Sequence, residues 1–156
     1  MEPLEELRGE LEKDEGPDYA AVARRLGPRS LSPLEALVRK GGRRTAPQAT
    51  YLAGLIGGPD SFDLVSLAAE NEDPIVRAAA AFTLTELSEQ QAAGIAEKLL
   101  DDEDSGVRAR AIVFAVQSGH EQLLVRVREI AQDDREPAAL RELATRLLAE
   151  GGDRQR

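Results

Sequence analysis

The chain has 156 residues, a formal net charge of -9 and 3% aromatic residues, which suits one domain of ordinary size with a real hydrophobic core. Few aromatics beside abundant alanine and leucine favour closely packed helices over a β-sandwich or barrel, so the expected fold class is all-α. With no cysteine, disulfides, thiolate metal sites, iron–sulfur ligation and cysteine nucleophiles are excluded together.

The opening stretch MEPLEELRGELEKDEG is acidic and has neither a basic n-region nor an apolar h-region, and no apolar run further on reaches membrane-spanning length. A cytoplasmic protein without membrane contact is the expectation. Charge is unevenly placed: residues 1–18 carry eight acids and two bases, whereas residues 24–44 carry seven bases and one acid. Helical periodicity and end signals predict helices over 3–13, 18–26, 32–40, 46–57, 61–71, 74–87, 89–101, 105–118, 120–132 and 137–150. Ser32-Pro33-Leu34-Glu35 reads as an N-cap serine, a proline at the first helical position and a closing glutamate, and Thr45 with Gln48 and Ser88 with Gln91 repeat the box. Stops are expected at Gly41-Gly42, Gly57-Gly58, Gly119 and Gly151-Gly152.

Asp73, Val76-Arg77, Ala80 and Leu84 return 31 residues on as Asp104, Val107-Arg108, Ala111 and Ala115. Leu140-Arg141, Ala144 and Leu148 follow after a further 33, and Ala49 and Ile56 in TAPQATYLAGLI form a degenerate earlier copy. Paired helices at this period indicate a solenoid, in which each pair buries its apolar face only against its neighbours. EDPIVRAAAAFTL, DEDSGVRARAIVFA and EPAALRELATRLL resemble HEAT-type repeats of the short prokaryotic sort grouped with the bilin-lyase repeats, whose second helix opens Asp-Pro-x-Val-Arg and continues in alanines. The resemblance covers residues 32–150 and implies a right-handed α-solenoid of about four helix pairs (32–57, 61–87, 89–118, 120–150). Residues 1–31 would then be an N-terminal helical cap or extra pair, and 151–156 a disordered tail. It also implies that Asp73, Asp104, Arg77, Arg108 and Arg141 hold successive repeats together by hydrogen bonds. Their four-residue spacing equally permits an intrahelical pair.

No pattern for catalysis emerges. His120-Glu121 invites comparison with the HEAT-type hydroxylases that hold two irons on several His-Glu pairs, but a metal needs three or more converging ligands, and this pair reads as an exposed helix start. The acidic runs DDEDSG and QDDREP fall at turns, where aspartates cap helices, and AGLIGGPDSF lacks the Lys-Ser/Thr and preceding strand of a phosphate loop. Neither cofactor nor metal is expected. Arg24, Arg25, Arg29, Arg39, Lys40, Arg43 and Arg44 gather at helix ends and turns, where positive charge suits the dipole. They are the candidate anion-binding or nucleic-acid-binding set, although no aromatic lies among them to meet a base, and pairing with the acidic first helix is the bland alternative.

One row points outward. On helix 74–87, Val76, Ala80, Thr83 and Leu87 share a stripe, and Ala78, Phe82 and Thr85 lie roughly opposite. The repeat offsets carry those positions to Pro47, Tyr51 and Gly54, to Ala109, Val113 and Val116, and to Glu142, Arg146 and Ala149. In HEAT solenoids second helices line the concave face, so Tyr51, Phe82, Thr85, Val113, Val116 and Arg146 are the candidate partner-binding residues. The ligand would be a helix or peptide of another protein, unless the N-terminal helices cover part of the face. A bilin-lyase or lyase-associated role is the alternative that the resemblance suggests, and nucleic-acid binding through Arg24 to Arg44 the third.

Overall fold

Small side chains set how closely the helices approach. Ala49, Ala80, Ala111 and Ala144 hold the same place in four successive copies, and each is 0% exposed. Beside them Thr45, Val76, Val107 and Leu140 form a second buried line, so the core face of every copy is written in the same two positions. Interiors are packed like crystals, and a larger residue on the alanine line would have to displace a neighbouring helix.

The computed structural model describes residues 3–13 and 15–154. They form α1 (Pro3–Leu11), α2 (Tyr19–Leu26), α3 (Leu31–Lys40), α4 (Gly42–Ile56), α5 (Pro59–Ala69), α6 (Pro74–Thr83), α7 (Glu89–Leu100), α8 (Ser105–Ser118), α9 (Glu121–Gln132) and α10 (Ala138–Arg154), with 3-10 turns at Pro28–Ser30 and Leu84–Glu86. No strand occurs among the described residues, and the fold is all-α. Two compact units divide the chain, Met1–Leu87 and Ser88–Arg156. In the first, α4 packs on α2, α3, α5 and α6, while α1 lies on α3 and α4. Leu11, Leu34, Leu37, Val38, Leu52, Val65 and Leu84 are among its largest buried residues. In the second, α8 packs on α7, α9 and α10 around Leu99, Leu100, Ile112, Val127 and Ile130.

The helix ends correct the sequence reading in four places. Ser32 is no cap: α3 begins at Leu31 after the Pro28–Ser30 turn, and Pro33 falls in the first turn, where a missing N–H leaves no intrahelical bond unmade. Thr45 is no cap either, because α4 starts a turn earlier at Gly42, and Thr45 is buried in line with Val76. Pro47 therefore lies inside the helix and leaves the Arg43 carbonyl without its usual donor. Helix 74–87 ends at Thr83 and tightens into the Leu84–Glu86 turn. The expected stop at Gly151-Gly152 is absent, since α10 runs on to Arg154. Gly151 serves a close approach instead: a β-carbon there would lie 3.1 Å from Val116 Cγ1.

Loops between the two helices of a pair reuse one construction. Asn71, Asp102 and Asp133, spaced by 31 residues, accept through a side-chain oxygen from the N–H of Asp73 (2.9 Å), Asp104 (2.9 Å) and Arg135 (3.0 Å). Asp73 and Asp104 then cap α6 and α8, accepting from Ile75 N and from Gly106 N and Val107 N. Arg77 and Arg108 turn back on the loop before them. Arg77 donates to the Asn71 and Glu72 carbonyls at 2.9 and 3.0 Å, and Arg108 to those of Asp102 and Glu103 at 2.7 and 3.1 Å.

The third loop explains the 33-residue spacing. Pro137 takes the place of the capping aspartate, its carbonyl accepting from Leu140 N and Arg141 N as that of Asp73 does from Val76 N and Arg77 N. Two extra residues thus lie between the Asp133 turn and α10. One of the lengthened loop's residues, Glu136, meets Arg108 Nη2 at 2.6 Å, with side chains only 14% and 12% exposed.

Candidate functional site

Three aromatic rings meet on the first unit. Asp18 caps α2 by accepting from Ala21 N at 3.0 Å, which places Tyr19 at the first helical position. Tyr51 lies in the middle of α4 and Phe82 near the end of α6. Tyr19 and Tyr51 pack edge to face with centroids 5.2 Å apart and planes at 81°. Tyr51 and Phe82 follow at 5.4 Å and 51°, so the rings form a ladder over α2, α4 and α6. Such pairs add about 0.5–1.5 kcal/mol each beyond their buried area. Both tyrosines of the chain and one of its three phenylalanines are used here.

The ladder is not sealed. Phe82 is 55% exposed, more than Ile75 or Val125, the other exposed large apolar residues among those described, and Tyr19 and Tyr51 are half-buried. Burial, with Tyr51 adding to it, pushes the Tyr19 phenol above its ordinary pKa, so the hydroxyl is a neutral donor across the physiological range. Thr85 and Glu86 are exposed just past Phe82. Gly54, one turn beyond Tyr51, is buried because α6 comes close: a β-carbon there would run into Thr83 Cγ2 and lie 3.4 Å from Glu86 Cβ.

Tyr19 escaped the sequence reading. It stands outside the 31-residue period, so no offset leads to it. The available signal was an aromatic directly after a capping aspartate, in a chain with one other tyrosine.

In the second unit, Val113 and Val116 of α8 are half-buried and Arg146 of α10 is exposed. Val116 lies against the bare backbone of Gly151, so α10 covers part of this strip. Their first-unit counterparts, Tyr51 and Phe82, are larger.

The basic set is largely engaged by the chain itself. Arg25 meets Glu6 and Glu10 of α1 at 3.6 and 3.0 Å, Arg39 meets Glu35 at 2.9 Å, and Arg43 meets Asp73 at 3.0 Å. Arg44 donates to the Glu12 carbonyl at 2.8 Å. Arg24, Arg29 and Lys40 are exposed. His120 is the residue before α9, with no side-chain cap bond. Among the described residues no group of three or more histidines or carboxylates is placed to hold a metal, and no helix is long and apolar enough to cross a membrane.

Helix pairs recurring with one buried alanine line, one loop clamp and one cap define a helical-repeat protein. A family model for HEAT repeats matches residues 61–149, more than half of the chain, and the protein belongs to the HEAT-repeat family. HEAT repeats are in general scaffolds for protein interactions. No curated protein matches the chain.

Proposed function

We propose that this protein is a non-catalytic interaction module that binds a helix or peptide of another protein on the face where Tyr19, Tyr51 and Phe82 meet. The observation that supports it is the exposure of Phe82 at the end of a ladder of stacked rings. Aromatic side chains give large contact area at low entropic cost and dominate the energetics of interfaces. A solvated phenylalanine is disfavoured in a free protein and is offset when a partner covers it. Thr85 lies at the rim of this face, and Val113, Val116 and Arg146 offer a smaller strip on the second unit. The ion pairs of Arg25, Arg39 and Arg43 with the chain's own carboxylates favour a protein partner over nucleic acid.

Affinity copurification from the native host tests this reading with three chains: wild type, Tyr51→Glu/Phe82→Glu, and Arg24→Glu/Arg29→Glu. Circular dichroism first establishes that each variant keeps its helices. A partner held by wild type and by the arginine variant, and lost with the aromatic variant, is expected. Loss of an aromatic anchor typically weakens binding by about 30-fold or more. Loss with the arginine variant alone would move the site to the basic segment.

A further inference from the structure

The ladder carries a charge at its end that the fold leaves to solvent. Glu86 follows Phe82 by one turn, and its stem lies over Gly54, with Cβ and Cγ at 3.4 and 3.7 Å from where a glycine side chain would begin. That contact sets the stem of Glu86 against α4 one turn from Tyr51, at the Tyr51–Phe82 end of the ladder. Asp18, exposed, stands directly before Tyr19 at the other end. Among the described residues no base pairs with Glu86. Elsewhere on this unit Arg43 is paired with Asp73 at the start of α6, Arg25 with Glu6 and Glu10, and Arg39 with Glu35.

We propose that the occupant of this face is a basic amphipathic segment of another protein, which lays an apolar side chain on Phe82 and Tyr51 and brings a lysine or arginine to Glu86. The inference rests on the docking role proposed above and adds the partner's chemistry. Three features agree on it. The exposed faces of aromatic rings carry the negative side of a quadrupole and attract cations. A cation between the Phe82 ring and the Glu86 carboxylate would answer both groups at once. The chain's net charge of -9 favours encounter with a basic partner and disfavours an acidic one. An acidic segment seated here would oppose its carboxylates to Glu86, which no base among the described residues pairs, and to the exposed Asp18.

The test is selection of a random displayed-peptide library against the immobilised full chain, with Phe82→Ala as the counter-selection. Enriched peptides are then synthesised and titrated against wild type, Phe82→Ala and Glu86→Gln. The proposal expects Phe82-dependent peptides in which lysine or arginine flanks the apolar positions. Glu86→Gln should weaken them about 3- to 10-fold at an ionic strength of about 0.15 M, and added salt should weaken wild type more than the variant, as rim charges behave. Peptides that need Phe82 but are neutral or acidic, or that bind Glu86→Gln as well as wild type, would overturn the basic partner while leaving the docking face intact. A selection in which nothing depends on Phe82 would overturn both. Both positions are exposed, and helical content and melting temperature of each variant separate loss of contact from loss of fold.

Discussion

Asp133 shows how a single side chain is made to serve this fold. Its carboxylate accepts from the Arg135 backbone N–H at 3.0 Å and from the Arg135 guanidinium at 2.9 and 3.0 Å. The side-chain hydrogen bond from Arg135, then the backbone one, holds its pKa below the usual carboxylate range. Because the folded pKa is depressed, the stabilisation is present above the unfolded value and disappears as pH falls through the folded one. Replacing Arg135 by alanine should raise the Asp133 pKa toward the ordinary value near ~3.9, as an NMR titration would read, and an unchanged titration would refute the assignment. Arg108 poses a stronger case. Glu136 meets it at 2.6 Å with little exposure on either side, so Glu136→Ala removes the carboxylate from Nη2 of a guanidinium that solvent hardly reaches, leaving only the bonds from Nη1 to the Asp102 and Glu103 carbonyls. A destabilisation of about 1–3 kcal/mol is expected in chemical denaturation, the range for an unmet polar group, whereas breaking the exposed Arg39–Glu35 pair should cost under about 1 kcal/mol.

Between helices, close approach is made by what is missing from a side chain, repeated from copy to copy on the alanine line and present once at Gly54. Gly54 admits Thr83 and Glu86 against α4, and Ala111 admits the neighbours of α8. Overpacking at such positions costs typically ~1–3 kcal/mol. Gly54→Ala should therefore lower the melting temperature and disturb the ladder, since Tyr51 is one turn away. Ala111→Leu should destabilise the second unit while leaving Tyr19, Tyr51 and Phe82 as they are. The period of 31 residues made the buried line, the loop clamp residues and the outward place of Phe82 legible in the sequence, because one copy checks another. What defeated the sequence were features present once. Thr45 and Ser32 have the composition of caps, yet the line shared with Val76 and the turn at Pro28–Ser30 override them. Gly151 has the composition of a stop and is used for its lack of a side chain against Val116. The arginines at 77 and 108 recur as expected, but that they grip the carbonyls of their own preceding loop follows only from coordinates.

The proposed binding surface of Tyr19, Tyr51 and Phe82 lies within one compact unit, Met1–Leu87, and α7 to α10 form the other, Ser88–Arg156. Stability in a repeat protein is close to a sum over neighbouring elements. Ala144→Leu should thus open α9 and α10 to hydrogen exchange first, with protection in α3 to α6 retained and Phe82-dependent binding preserved. Equal loss of protection throughout would show instead that the chain unfolds as one. The ladder has a practical side as well. With no tryptophan and two tyrosines, both held in it and 5.2 Å apart, the tyrosine band of the near-ultraviolet dichroism and the tyrosine fluorescence of this protein originate from the face proposed to meet a partner. The chain therefore carries its own optical probe, one that should respond to occupation of that face and stay silent to events at Arg146 or the loops.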